Sequence, residues 1–497
     1  MTDFPRALRA CLIAVFAALA AYLLYISGEK LVRENLHHEE DRHIPEYANL
    51  VVGLCGERVA YVTANPRDID PLDRDRIIHM AWEVSPGAVV PIGFDDVAAW
   101  RGPLVHPAGL TSASVRRYEK SGHEVMAYNE FAVLRSRTEI DAAPREESEV
   151  RTPTLRGFAG TAAAILVLGA LWYLSRGRRL PPAGVAIGAA AVFVALCSVA
   201  LRFGLTAPNG LAVYAGKAKL LLLAGGVPDG FWTSQDYAVY QPSYPFGMVL
   251  PALLAFFVGG GAETFCLQMF VPFVLSLVFL EISEGKNPLA FLLGAAYVLC
   301  PVAQRLAIGF YAEPLCALAL IMGWKQVRNG NALWGWGMIG AAGLVRHEGL
   351  ILAAALLAVS SAANRRFDAR ALLLALLPGV AWQVFALSVG SHLQGYEFGA
   401  LPSLERIAEA GYEAFRRLIS GFELSGIIVL AGLLFAIRRK WRSMSTAFAA
   451  FALAAIVAVS MLGFCNSGEF SWIAQTVLGR YLWLAAAVPV CEACRAA

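Results

Sequence analysis

Beyond residue 156 the chain is a succession of long apolar runs separated by short basic clusters. A run of roughly 20 apolar residues is long enough to cross a bilayer as a helix. In hydrocarbon only helices and closed barrels satisfy their own backbone polar groups. Candidate spans fall near 10–27, 157–175, 183–202, 264–282, 288–303, 309–324, 332–346, 349–363, 371–391, 423–437, 444–464 and 474–491. Of the 497 residues 58% are hydrophobic and 16% charged, against about 25% charged in a soluble domain. The charges concentrate in 28–156. A soluble enzyme, a disordered chain and a secreted disulfide scaffold are excluded. The pattern predicts a polytopic α-helical membrane protein of about twelve transmembrane helices with one water-soluble insertion.

The division expected is a transmembrane anchor at 1–27, a small α/β domain at 28–156 and a multi-span core at 157–497. The first run has an apolar stretch of about 18 residues, beyond the 7–15 of a signal peptide, so it reads as an anchor. The stretch 246–261 follows Pro245, carries Pro251 and ends in three glycines, as a re-entrant or interfacial segment would. Short-loop cations orient the spans. Arg6 and Arg9, Arg176 to Arg179, Lys286, Lys325 and Arg328, Arg365 to Arg370, and Arg438 to Arg442 all fall on one side of a twelve-span chain. That side is expected to be cytoplasmic, with both termini, in a cell inner membrane. Residues 28–156 and the loops 203–263 and 392–422 then face outward.

Within the insertion, alternation predicts strands at Arg58–Thr63, Ala88–Ile92 and Glu130–Arg135 and a helix near Asp73–Glu83. The segment His37 to His43 is rich in histidine and carboxylate, and reads as a solvated helix because no second cluster completes a metal site. The net charge of +3 says nothing about nucleic acid, and with the basic residues at helix ends rather than in one stripe no nucleic-acid partner is expected. Seven of nine cysteines lie in or beside apolar runs, which leaves at most a Cys55–Cys465 bridge. The Cys491-x-x-Cys494 pair is too few ligands for a zinc site.

Chemistry-bearing residues cluster in the outward segments. The loop 203–263 offers Lys217 and Lys219 on an expected interfacial helix, where lysines meet lipid phosphates. Asp229, Asp236 and Tyr244 follow among aromatic residues suited to stacking on sugar rings. Glu313 and the trio Arg346, His347, Glu348 interrupt apolar runs, and ionisable groups at membrane depth are by default functional hypotheses. An Arg346–Glu313 or Arg346–Glu348 pair holding helices together is the plainer reading. Arg480 lies in the last span, where a guanidinium suits a phosphate.

The order of these pieces resembles bacterial membrane glycosyltransferases of the GT-C fold. The segments that carry the likeness are NGLAVYAGKAK (209–219), YPFGMVLP (244–251), FYAEPL (310–315), VRHEGLIL (345–352) and GRYLWLAAAVP (479–489). Together they cover about residues 183–490, and each is weak alone. The resemblance implies a dolichyl-phosphate-mannose-mannosyltransferase-like enzyme that transfers a sugar from a polyprenyl-phosphate donor to a glycan, lipid or protein acceptor. It implies an outer-loop carboxylate as base, Asp236, Asp229 or Glu313. Lys217, Lys219, Arg346 and Arg480 would face the leaving phosphate, with Tyr244, His347 and Glu348 lining the substrate. A divalent metal, Mg or Mn, is compatible with it; no other cofactor is implied. The family aspartate aligns with Asn209, which takes no proton at neutral pH. A transporter or flippase of a lipid-linked anion, and a non-catalytic lipid-binding assembly subunit, are the competing functions.

Overall fold

The computed structural model describes residues 58–62, 88–92, 103–106, 123–128, 131–136, 155–177, 180–203, 210–234, 240–260, 264–284, 288–364, 368–390 and 478–496, with isolated positions between them. The expected spans 10–27, 423–437 and 444–464, the loop 392–422, the His37 to His43 segment, Cys55 and Cys465 lie outside the described residues.

Five strands form one mixed sheet: β1 (Arg58–Val62), β2 (Ala88–Ile92), β3 (Leu104–His106), β4 (His123–Tyr128) and β5 (Phe131–Ser136). Their order is β2-β1-β3-β5-β4. β1 runs parallel to both β2 and β3, whereas β5 pairs antiparallel with β3 and β4. Central β1 is buried along Val59–Val62, which explains its continuous rather than alternating apolar text. β1 and β2 fall on the expected strands, and helical Arg76, Ile77, Met80 and Ala81 fall in the expected helix. β3 has three residues and β4 opens His-Glu, so neither carries a strand pattern of its own.

The rest of the described chain is helical. In order come α1 (Leu155–Ser175), α2 (Ala183–Phe203), a π-helical segment Gly210–Gly216, α3 (Lys217–Leu223) and α4 (Val249–Gly259). Then follow α5 (Thr264–Leu267), α6 (Phe270–Ile282), α7 (Pro288–Leu299), α8 (Pro301–Ile308) and α9 (Glu313–Arg328). The last are α10 (Ala332–Val345), α11 (His347–Asn364), α12 (Ala369–Ser388) and α13 (Leu478–Ala496). Among the described residues four helices, α1, α2, α11 and α12, are long and apolar enough to cross a membrane. A fifth is counted if α7 and α8 form one span bent by 51°. Leu166, Ile187 and Leu387 on three of them are 70%, 71% and 65% exposed, which suits lipid rather than water.

Several expected spans are shorter than their hydropathy suggests. The run 264–282 is split into α5 and the 13-residue α6. The run 288–303 breaks at Pro301, which lacks a helical N–H and holds Cys300 extended at ψ 157°. The run 309–324 becomes a 16-residue helix that starts only at Glu313. The last run continues to Ala496 as α13, sealed inside the bundle with Trp483, Ala487 and Cys491 fully buried. The stretch 246–261 forms the 11-residue α4, about 16 Å long and well short of a ~30 Å hydrocarbon core. The six described cysteines are buried and outside any disulfide.

Small residues let the helices approach closely. A β-carbon at Gly323 would lie 2.6 Å from Gly335 O, and one at Gly335 the same distance from Gly323 O, so α9 and α10 touch backbone to backbone. At Gly340 an added β-carbon would overlap Leu374 O of α12. Gly340→Val is therefore expected to destabilise the protein by about 1–3 kcal/mol or more through overpacking. A thermal melt of the detergent-solubilised variant checks this; an unchanged midpoint contradicts the tight α10–α12 contact.

The sheet and the helices share one apolar seam. Val59, Tyr61, Met80 and Val105 pack with Leu220, Phe231 and Tyr240 in a single buried cluster. Tyr240 also donates its hydroxyl to Ala81 O at 3.2 Å. The sheet thus clamps the start of the loop that leads to Tyr244.

Candidate functional site

The helix α9 begins abruptly, with Pro314 in its first turn and the chain entering through Gly309-Phe310-Tyr311-Ala312. Phe310 adopts φ +50°, in the left-handed region that a bulky residue rarely occupies. That turn puts Glu313, 1% exposed, inside the bundle. The helix α10 stops at Arg346, whose extended backbone (φ −152°, ψ 153°) separates it from α11. This break projects Arg346 inward, 4% exposed, rather than along either helix. Its guanidinium grips Glu348 with two nitrogens, Nε at 2.8 Å and Nη2. The remaining nitrogen, Nη1, pairs with Glu313 Oε1.

Arg480, in the first turn of α13, reaches the same oxygen. Its Nη1 lies 3.2 Å from Glu313 Oε1, and its guanidinium stacks 4.2 Å from the Tyr311 ring centre. One buried carboxylate oxygen thus bridges two guanidiniums from distant parts of the chain. The plainer reading of Arg346 holds as to contacts, since both of its expected pairs form. Glu313 Oε2 has no hydrogen-bond partner among the described residues.

Around this core the structure gathers further candidates. Tyr244 lies within electrostatic reach of Glu348, Arg346, Arg480 and Glu313. Its ring packs edge-on against His347, centres 4.8 Å apart. His347 Nδ1 meets the Gln383 side-chain amide of α12. Its other nitrogen, Nε2, is buried without a hydrogen-bond partner among the described residues.

Lys217 corrects an expectation. It is not at an interface but fully buried, donating from Nζ to Gln241 O at 3.0 Å and Tyr244 O at 3.2 Å. The loop after Tyr240 folds over it, with Nζ 5.1 Å from the Phe246 ring centre. Burial away from water pulls its ammonium down to about 7. Gln241, which supplies one carbonyl, has φ +45°. Gln241 and Phe310 are the non-glycine residues with positive φ among those described, and both border this site. Strain of this kind, of order 1–3 kcal/mol each, persists where surrounding structure enforces it, often at functional sites.

Lys219 is half-buried and Asp229 stands exposed in a turn. Asp236 and Asn209 lie outside the described residues. Residues that sequence reasoning passed over are Tyr311, Gln383 and Tyr214, the last buried within the π-helical segment beside Arg346 and Glu313. Gln383 carried a usable signal, an amide beside Trp382 in an apolar run.

A second ionic cluster occupies the opposite end of α9. Glu281, 3% exposed, accepts from Trp172 Nε1 at 2.8 Å, Arg176 Nη1 at 2.9 Å and Lys325 Nζ at 2.5 Å. Glu284 bridges the same two cations. Burial opposes its ionisation, but Lys325 and Arg176 hold its carboxyl below the usual range. Lys325 lies twelve positions after Glu313 on one helix, about 18 Å away. This second network is internally neutralised and reads as a staple for α1, α6 and α9.

No protein family, curated protein or solved structure matches the chain. Its chemistry therefore rests on the site itself. Two guanidiniums, an ammonium, an imidazole and two carboxylates converge there. Among the described residues no three His, Cys, Asp or Glu side chains form a metal-sized group.

Proposed function

We propose that this is an integral membrane glycosyltransferase of the GT-C type, moving a sugar from a polyprenyl-phosphate donor to an acceptor on the outer face of the cytoplasmic membrane. The observation that carries the reading is the pair of buried guanidiniums, Arg346 and Arg480, held side by side on Glu313. A buried arginine within apolar surroundings is costly and is by default a functional hypothesis, and two guanidiniums side by side suit a phosphate. The orientation and the twelve-span layout belong to the same proposal. They are supported by the separation of the two clusters along α9, with Arg176, Lys325 and Arg328 at the end expected to face the cytoplasm.

In the reaction the acceptor oxygen attacks the anomeric carbon and the C–O bond to phosphate breaks. Negative charge grows on the leaving phosphate, and preorganised cations stabilise it most when desolvated. Arg346 and Arg480 fill that role, with Lys217 steadying the loop that carries Tyr244. Glu313 and Glu348 are paired with guanidiniums, and the acceptor's proton is assigned to neither.

The test is incubation of the purified, liposome-reconstituted protein with undecaprenyl phosphate linked to tritiated hexoses or pentoses, with and without EDTA. Extraction should recover free undecaprenyl phosphate and labelled product. Movement of intact donor across the bilayer without bond cleavage would point to a flippase instead. Binding with neither outcome would point to an assembly subunit.

A further inference from the structure

We propose that His347 is the general base, accepting the proton of the acceptor hydroxyl at Nε2, and that Gln383 positions it. This deepens the transferase reading and rests on it. The imidazole is fixed on one side and unsatisfied on the other. Nδ1 meets the Gln383 amide, while Nε2 is buried with no hydrogen-bond partner among the described residues. Leaving such a nitrogen buried and unsatisfied is costly unless a ligand or water completes it. The two ends of a glutamine amide have nearly the same shape and exchange by rotation. With the oxygen toward the ring, Gln383 accepts from Nδ1–H and leaves a lone pair on Nε2.

The surroundings suit a base that starts neutral. Arg346 and Glu348 flank His347 in sequence, and Lys217 on α3 is within electrostatic reach. Tyr244 closes one face of the ring. Arginines pair with both nearby carboxylates, whereas His347 Nε2 is a buried nitrogen with no hydrogen-bond partner among the described residues. As the acceptor oxygen bonds to the anomeric carbon, its proton passes to Nε2. The electron pair of the broken C–O bond leaves with the polyprenyl phosphate, against Arg346 and Arg480. The resulting imidazolium is stabilised by Glu348 and returns its proton to water after product leaves.

The experiment uses the full chain in liposomes with tritiated undecaprenyl-phosphate sugars and follows released undecaprenyl phosphate across pH. His347→Asn should lower kcat by about 10²–10⁴-fold, with the affinity for undecaprenyl phosphate kept within about threefold. In wild type, activity should fall on the acid side as the imidazole is protonated. Gln383→Glu, able only to accept from Nδ1–H, should stabilise the imidazolium and move that limb to higher pH. Melting temperatures of both variants identify any loss caused by misfolding. If His347→Asn keeps normal kcat, or the acid limb of Gln383→Glu stays where wild type has it, the base is another group and the transferase reading stands. A wild-type protein that binds undecaprenyl phosphate but cleaves no donor overturns both.

Discussion

Glu313→Ala should be among the most damaging single changes in the helical core, costing about 3–5 kcal/mol. The reason is not the worth of the ion pairs but what remains when they go. Arg346 and Arg480, 4% and 7% exposed, both pair with Glu313 Oε1. Arg346 keeps its second carboxylate, Glu348, whereas Arg480 loses the Glu313 contact and keeps the ring of Tyr311. A desolvated guanidinium without its counterion is costly in a low-dielectric interior. The double variant Glu313→Ala/Arg480→Ala should recover part of the loss, because it removes both members of a contacting buried pair together. Thermal melting of the two single variants and the double variant in one detergent gives the coupling. Purely additive losses would mean that Arg480 and Glu313 do not interact as placed.

How much of this was legible beforehand depends on the physics behind each residue. Glu313, Arg346, Glu348 and Arg480 stand out because a charge within apolar text carries a large desolvation cost, so its presence is itself a signal. Lys217 is different. It sits at the start of the seven-residue α3, where lysine fits an interfacial helix equally well. Its burial is decided by a loop 24 and 27 residues away whose carbonyls close over it. No local pattern encodes that closure. The same limit explains Gln383, whose importance comes from His347 on another helix. The strands β1 and β2 were readable from β-branched runs, whereas three-residue β3 exists through its neighbours on the sheet. Helix lengths were overestimated where polar or proline residues interrupt the apolar text, as at Pro301 and before Glu313. Hydropathy averages over such breaks, but the backbone does not.

Arg480→Ala should weaken binding of undecaprenyl phosphate by about 2–5 kcal/mol, the usual cost of truncating one partner of a desolvated charge pair. Roughly, that is a 30- to 4000-fold loss of affinity at 1.4 kcal/mol per decade. Arginine offers a planar fork to two phosphate oxygens, while lysine retains the charge without the fork. Arg480→Lys should therefore fall between wild type and Arg480→Ala. The Tyr311 ring beneath the guanidinium, 4.2 Å from its carbon, fixes the plane of that fork, so Tyr311→Leu should reproduce the lysine phenotype with the charge intact. Glu313 already occupies one side of Arg480, and an incoming phosphate has to share or replace that contact. Affinity should consequently fall with rising salt less than it would at an exposed site, because buried pairs are poorly screened. Equilibrium binding of labelled undecaprenyl phosphate to the three variants, with their melting temperatures, separates ligand contact from scaffold. If Arg480→Ala loses stability but binds the lipid phosphate as wild type does, the arginine pair is an internal brace and the phosphate site lies elsewhere.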